Sequence, residues 1–284
     1  MADRTILITG GTSGIGRAAA LALAVPAHRL LVAGRNPVLL EGLARELRSR
    51  GAGGVVTFAA DLMLMSGVRA LAAQVRAAAP RLDVLANNAG AIFDTRQLTA
   101  EGFERTLALN HLAYVLLTQL LLDRVASSPD GRIVNTASAA HRRARLDLDD
   151  LQSGRHYRGW RAYGNSKLMN ILFTRALARR LTADPATAHV SAAAFHPGFV
   201  ASRFGDANRL LFKAAIGVGK WFARTEEQGA DTLVWLATAP GAGERSGGYF
   251  HERRPGRLSR AAREDRGGEG LWEETERLLA RGSS

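Results

Sequence analysis

Short apolar runs of strand length recur along the chain, at Thr5–Thr9, Arg29–Ala33, Val55–Ala59, Val84–Ala86, Arg132–Thr136 and Val190–Phe195. Between them lie longer stretches, near 14–25, 38–50, 66–79, 101–125 and 161–182, whose apolar residues repeat at helical spacing. Such alternation predicts a parallel sheet, because parallel neighbours need a crossover connection and the helices supply it. Right-handed crossovers then put helices on both faces, so the expected fold is α/β: a single doubly wound parallel sheet of about seven strands. No internal repeat is visible, and no linker interrupts the rhythm before about residue 240, so one domain is expected over 1–284. Two stretches break the pattern. Residues 139–160, rich in Arg and Asp, predict a long loop over the sheet edge. Residues 241–268, rich in Gly and Arg, precede a short amphipathic helix near 270–280 that carries Leu271, Trp272, Leu278 and Leu279.

Composition narrows the class. With 284 residues, 46% hydrophobic, 23% charged and no cysteine, a disulfide scaffold and a thiolate metal site are excluded, and a cytoplasmic location is expected. Thirty-eight basic against 26 acidic residues give +12, but the excess is spread along the chain, so no nucleic-acid partner is expected. All but three of the basic residues are arginine; the lysines are Lys167, Lys213 and Lys220. No uninterrupted apolar run approaches the roughly 18 residues of a membrane span, so no integral membrane segment is expected.

Candidate chemistry sits at strand ends. Gly10-Gly11-Thr12-Ser13-Gly14-Ile15-Gly16 follows the first strand and runs straight into a helix former, Arg17-Ala18-Ala19-Ala20-Leu21. Glycines there let the backbone approach a pyrophosphate, which the free N–H groups and positive end of the helix would meet. About 20 residues on, an NAD site wants a carboxylate for the ribose, and an NADP site wants a cation for the 2′-phosphate. The chain reads Ala33-Gly34-Arg35-Asn36, with an arginine and no acid. Asp61-Leu62, after the third strand, could set a carboxylate near an adenine amino group or cap the next helix.

Tyr163 and Lys167 are four apart in the longest late helix and so share a face. A phenol with an ordinary pKa of about 10 is a poor base near neutrality, and a fixed ammonium beside it should bring it toward the working range. In a chain this poor in lysine, Lys167 is more than a solvated neighbour. Ser138 closes the fifth strand, where parallel sheets present ligand-facing groups, and its hydroxyl could bond a carbonyl oxygen that gains charge or cap the strand end. No G-x-S-x-G elbow surrounds it, which argues against a hydrolytic serine. The seven histidines show no metal-ligand spacing, and no metal is expected.

Together these elements resemble the short-chain dehydrogenase/reductase family over residues 5 to about 250: the Gly10/Gly14/Gly16 turn, Asn87-Asn88-Ala89-Gly90, Asn110, Ser138, Tyr163 with Lys167, and Pro197-Gly198. The resemblance implies a Rossmann-like sheet with a mainly cofactor-binding half in 1–100 and a catalytic half in 101–284. It makes Tyr163 the general acid/base, Lys167 the residue that lowers its pKa and holds the nicotinamide ribose, and Ser138 the group that orients the substrate oxygen. Asn110 would hold a water in a proton relay through Lys167. Asn88, Ala89 and Gly90 would flank the adenosine ribose, and Pro197, Gly198 and Val200 the nicotinamide amide. The 25-residue gap from Ser138 to Tyr163, the Ser-Ala-Ala-His at 138–141, His-Pro-Gly at 196–198 and Gly-Gly-Tyr-Phe at 247–250 resemble the retinol-dehydrogenase-like branch, whose preference for NADP(H) agrees with Arg35.

The expected function is therefore NADP(H)-dependent interconversion of an alcohol and its aldehyde or ketone on a small apolar molecule; a homo-oligomer is admitted. The alternative is a dinucleotide-binding regulator that keeps the fold without the chemistry. In residues 206–222, Arg209, Lys213 and Lys220 gather on one side of a helical wheel, and Leu211, Val218 and Phe222 on the other. This predicts a helical lid over the nicotinamide, with a core-facing helix or an interfacial helix as the competing readings.

Overall fold

The computed structural model describes residues 4–198, 224–265 and 267–281. Its strands are β1 (Arg4–Thr9), β2 (His28–Gly34), β3 (Gly54–Ala59), β4 (Val84–Asn87), β5 (Arg132–Thr136), β6 (Ser191–Phe195), β7 (Tyr249–His251) and β8 (Arg254–Pro255). They form one sheet in the order β3-β2-β1-β4-β5-β6-β7-β8, parallel throughout except for the last pair. The expected count of about seven becomes eight because β7 turns back through Glu252 and Arg253, with φ of 51° and 58°, into the two-residue β8. Paired left-handed residues give the turn that matches strand twist in a two-residue hairpin.

The alternation read from the sequence is physical. Leu7, Leu31, Leu85 and Ile133 enter one apolar cluster, while their neighbours Ile6, Ile8, Leu30, Val32, Val84 and Val134 enter the other. Successive strand residues point to opposite faces, so both faces are sealed, each buried Leu or Ile contributing about 1.5–3 kcal/mol. Helices α1 (Gly14–Ala22), α2 (Pro37–Ser49) and α6 (Glu226–Thr238) cover the second face. Helices α3 (Met65–Ala78), α4 (Arg105–Ala126) and α5 (Gly159–Ala183) cover the first. Local chemistry sets where several of these begin. Asn36 accepts from the N–H groups of Val38 and Leu39 ahead of Pro37, and Thr225 with Gln228 forms a reciprocal capping box for α6.

Two stretches gain detail. The sequence shows no unbroken apolar run of spanning length, yet α4 over Arg105–Ala126 reaches a mean hydropathy of 1.2, enough in length and composition to cross a membrane. That window is 78% buried inside the fold, so its apolarity belongs to the core. The Gly- and Arg-rich stretch after residue 240 holds β7, β8 and the short helix α7 (Arg260–Glu264), and α8 (Gly268–Arg281) follows it. Leu271, Leu278 and Leu279 of α8 are buried in the first-face cluster. Val200 and the expected lid at 206–222 lie outside the described residues.

Candidate active site

Strand order reverses between β1 and β4, and the carboxyl ends of β1, β4 and β5 bring the candidate residues together there. Thr9, at the end of β1, binds the turn after β4: its Oγ1 accepts from the N–H groups of Asn88 (2.9 Å) and Ala89 (3.1 Å). Asn88 returns its Nδ2 to the Thr9 carbonyl at 3.0 Å and accepts from Thr136 Oγ1 at 3.3 Å, so one side chain joins three strand ends. Gly10 has φ of +66°, and a Cβ there would stand 2.8 Å from Cα of Ala89. This glycine is needed for the closeness of the two turns, besides any ligand.

The first turn of α1 gains nothing from its N-cap side chain, since Ser13 makes no capping hydrogen bond, in contrast to α2 and α6. An uncapped helix start ringed by Gly14, Ile15 and Gly16, with Thr12 half-buried beside it, suits a phosphate. Ile15 itself is buried in the core, so only its backbone can serve there. Arg35, at the end of β2, is exposed and bonded to none of the described residues. Asn36 spends its side-chain oxygen on α2. Asp61 accepts from the N–H of Met63 at 3.0 Å, a local turn, while Glu101 accepts from the N–H groups of Met65 and Ser66 and so caps α3. Leu62 is buried core. These residues fit a dinucleotide, with the cradle at α1, a cation at Arg35 and an acid at Asp61.

At the other end of the site, Ser138 starts a tight turn whose Ala140 N–H it accepts at 3.2 Å. His141 holds that turn: its Nδ1 lies 2.7 Å from the Ser138 carbonyl and its Nε2 accepts from the Ser259 N–H at 3.2 Å. Tyr163 reaches the same hydroxyl from α5, bonded through its side chain to Ser138. Gly164 packs closely on the same turn, since a Cβ there would come 3.2 Å from the Ala140 carbonyl. Lys167, 2% exposed, donates to the Thr136 carbonyl at 3.1 Å. Its ammonium lies 5.6 Å from the Tyr163 ring centroid and 5.5 Å from that of Tyr114. Asn110 sits in a π-turn (Ala108–Leu112) within α4, a distortion common at functional sites. Its side chain exchanges two 2.9 Å bonds with the backbone of Ala91 and donates to Ser166 at 3.1 Å.

The expected electrostatics need correcting. Burial pushes the Tyr163 phenol up to about 12, with Ser138 as the group that opposes the rise, and burial alone brings Lys167 down to about 7. Both shifts come from removing the charged form from water. In the protein by itself, then, Ser138 lowers the phenol's pKa, whereas the sequence reading gave that part to Lys167.

Sequence reasoning missed four neighbours. Thr136 supplies the acceptor for Lys167. Asn170 is a fully buried amide in the apolar run Leu168-Met169-Asn170-Ile171-Leu172, and that misfit was the available signal. Tyr114 lies one turn past Asn110. Trp160, one turn before Tyr163, is 58% exposed and meets the Tyr163 ring edge-on at 5.9 Å. Among the described residues, no cluster of His, Asp or Glu could hold a metal.

A switch-point cradle joined to a Ser–Tyr–Lys group defines a dinucleotide-dependent oxidoreductase. The family model for short chain dehydrogenase matches residues 4–210. A Streptomyces sp. (strain C5) protein provisionally named daunorubicin C-13 ketoreductase is 42% identical over 252 residues, 88% of this chain and 84% of its own. Retinol dehydrogenase 14 of Homo sapiens is 35% identical over 98% of this chain and 87% of its own. Among solved structures, an uncharacterized protein from Mycobacterium paratuberculosis aligns with a TM-score of 0.78 at 32% identity, covering 98% of this chain and 94% of that one. A provisionally named NAD(P) dependent gluconate 5-dehydrogenase from Beutenbergia cavernae, with NADP bound at low occupancy, aligns at 0.70 and 28% identity over 88% and 95%. The chain belongs to the short-chain dehydrogenase family, in its retinol-dehydrogenase-like branch, and is an oxidoreductase of CH–OH groups.

Proposed function

We propose that the protein interconverts an apolar alcohol and its aldehyde or ketone with NADP(H), and that Tyr163, Ser138, Lys167 and Asn110 carry the proton chemistry. The observation that carries this reading is the bond from the buried Tyr163 to the half-buried Ser138, with the Lys167 ammonium beside it. When bound, the cofactor supplies or accepts the hydride at its nicotinamide ring. Tyr163, protonated at neutral pH, is ready to donate to a carbonyl oxygen that becomes an alkoxide. Ser138 holds that oxygen by its hydroxyl. The Lys167 ammonium stands beside the phenol, where it can resupply a proton, and the Asn110 carbonyl shares the Asn170 amide with the Thr136 carbonyl that Lys167 binds. In the oxidation direction Tyr163 must first lose its proton, so oxidation should accelerate with pH more steeply than reduction. The relatives' names, for a C-13 ketone in one and retinol in the other, agree with this class of substrate.

Preference for NADP(H) is supported by Arg35, an exposed cation where a ribose-binding acid would stand. Arg35→Ala should weaken NADPH binding about ten- to a hundredfold, the loss of one charge-assisted contact, and leave NADH nearly unchanged in fluorescence titrations. Equal losses for the two cofactors would reject it. An apolar substrate is supported by Trp160, whose exposed ring flanks Tyr163. An exposed indole is a surface on which a large apolar group is sheltered from water. Trp160→Ala should raise KM for bulky apolar ketones several-fold, with little change for acetone-sized ones and no change in melting temperature. A uniform change across substrate sizes would count against this role.

A further inference from the structure

Helix α8 reaches the π-turn of α4 through a buried chain of hydrogen bonds. Thr275 of α8, 1% exposed, has its Oγ1 3.1 Å from Nε2 of His111. Nδ1 of His111 lies 3.2 Å from Oδ1 of Asn170, and Nδ2 of Asn170 donates to the carbonyls of Asn110 (2.9 Å) and Thr136 (3.2 Å). Lys167 shares that Thr136 carbonyl, donating to it at 3.1 Å.

The direction of every link follows from the inner end. Carbonyls only accept, so the NH2 of Asn170 faces them and its oxygen faces His111. His111 Nδ1 therefore carries the proton, Nε2 offers a lone pair, and the Thr275 hydroxyl donates. Burial holds His111 down to about 4, so the imidazole is neutral, as this order requires. With all donors pointing inward, each bond polarises the next. Packing alone does not call for this. Leu271, Leu278 and Leu279 already bury α8, and Trp272 stacks on Phe173 at 5.5 Å. A buried threonine among them is costly unless its hydroxyl is used.

We propose that Thr275, His111 and Asn170 are positioning residues of the active site, through which α8 fixes the Asn110 and Thr136 carbonyls and thereby the seat of the Lys167 ammonium. The inference rests on the reading of Lys167 given above. None of the three touches the reacting atoms. Their effect is on where two main-chain oxygens stand, and a misplacement of about 1 Å in such a support can cost up to about a hundredfold in rate.

The test uses the small number of lysines. With three in the chain, protein labelled with 13C at lysine Cε gives three resonances, and Lys167→Met assigns the one of interest. Tyr163 on its own helix, Tyr114 from the body of α4 and His111 from the π-turn are the ionisable groups around Lys167. Thr275→Val removes the hydroxyl at nearly constant shape. It should lower the Lys167 titration midpoint by about half a unit or more, because the Thr136 carbonyl that accepts from the ammonium is no longer held in place, and lower kcat about tenfold. Thr275→Ser should restore both. Leu278→Ala, which loosens α8 without touching the chain, should lower melting temperature and leave midpoint and kcat as in the wild type. A wild-type midpoint and kcat in Thr275→Val, or the same losses in Leu278→Ala, would overturn the proposal. Should Lys167→Met turn over normally, the reading of Lys167 fails, while the midpoint in Thr275→Val still decides whether α8 seats the ammonium.

Discussion

Tyr163→Phe should lower turnover at least about a hundredfold, in both directions, while NADPH binds with wild-type affinity. The substitution deletes one oxygen and keeps the ring that packs edge-on against Trp160 and faces the Lys167 ammonium. What disappears is the acid that meets the developing alkoxide, and general acid catalysis by a placed side chain is worth about two to four orders of magnitude. The hydroxyl is bonded to Ser138, which is only half-buried, so the serine O–H that loses its acceptor can turn to water and the fold should keep its melting temperature within a few degrees. A loss in kcat with unchanged cofactor affinity would place the effect in the transition state. Retained turnover would remove Tyr163 from the mechanism. Turnover lost together with NADPH binding would show that the ring had moved.

Why the fold was open to sequence reading is visible in β1 and β2. Their inward residues alternate between two apolar clusters, and an element buried on both faces has no choice but to be apolar throughout. Ser138, Tyr163 and Lys167 were legible because their spacing and rarity are properties of the chain itself. What was not legible is polar contact made across elements. The acceptor for Lys167 is a backbone carbonyl, which any residue carries. The link from Thr275 to Asn170 joins residues more than a hundred positions apart, through a histidine that by itself reads as a core residue. Charge state belongs to the same class. A Tyr–Lys pair on one helical face suggests mutual stabilisation of ions, but the two side chains are folded under the sheet end, where the loss of water outweighs their attraction.

That loss of water gives Lys167 a signature beyond catalysis. Burial brings its pKa from an ordinary 10.5 to about 7. Between those values the unfolded chain binds a proton that the folded protein does not, so this residue makes stability rise with pH across the window. Below about 7 both states are protonated and the cost of the buried ammonium is fully present; above 10.5 both are neutral and it is gone. Lys167→Met keeps the stem and removes the titration. Urea unfolding at pH 6, 8 and 9.5 should then show the variant gaining on the wild type at pH 6 by an amount on the order of a few kcal/mol relative to pH 9.5. The Tyr163 phenol, held near 12, acts in the opposite sense and only above about pH 10, outside these measurements. Turnover should fall at least about a hundredfold in the same variant, since the group that resupplies the phenol's proton and would hold a ribose hydroxyl is gone. Lys167→Arg should not rescue it. The Nζ already lies 3.4 Å from where a Cβ on Gly90 would stand, and a planar guanidinium needs more room than a point donor in that seat. Parallel stability profiles for variant and wild type would mean that the ammonium is hydrated in solution, and full activity in Lys167→Arg would mean that charge alone suffices.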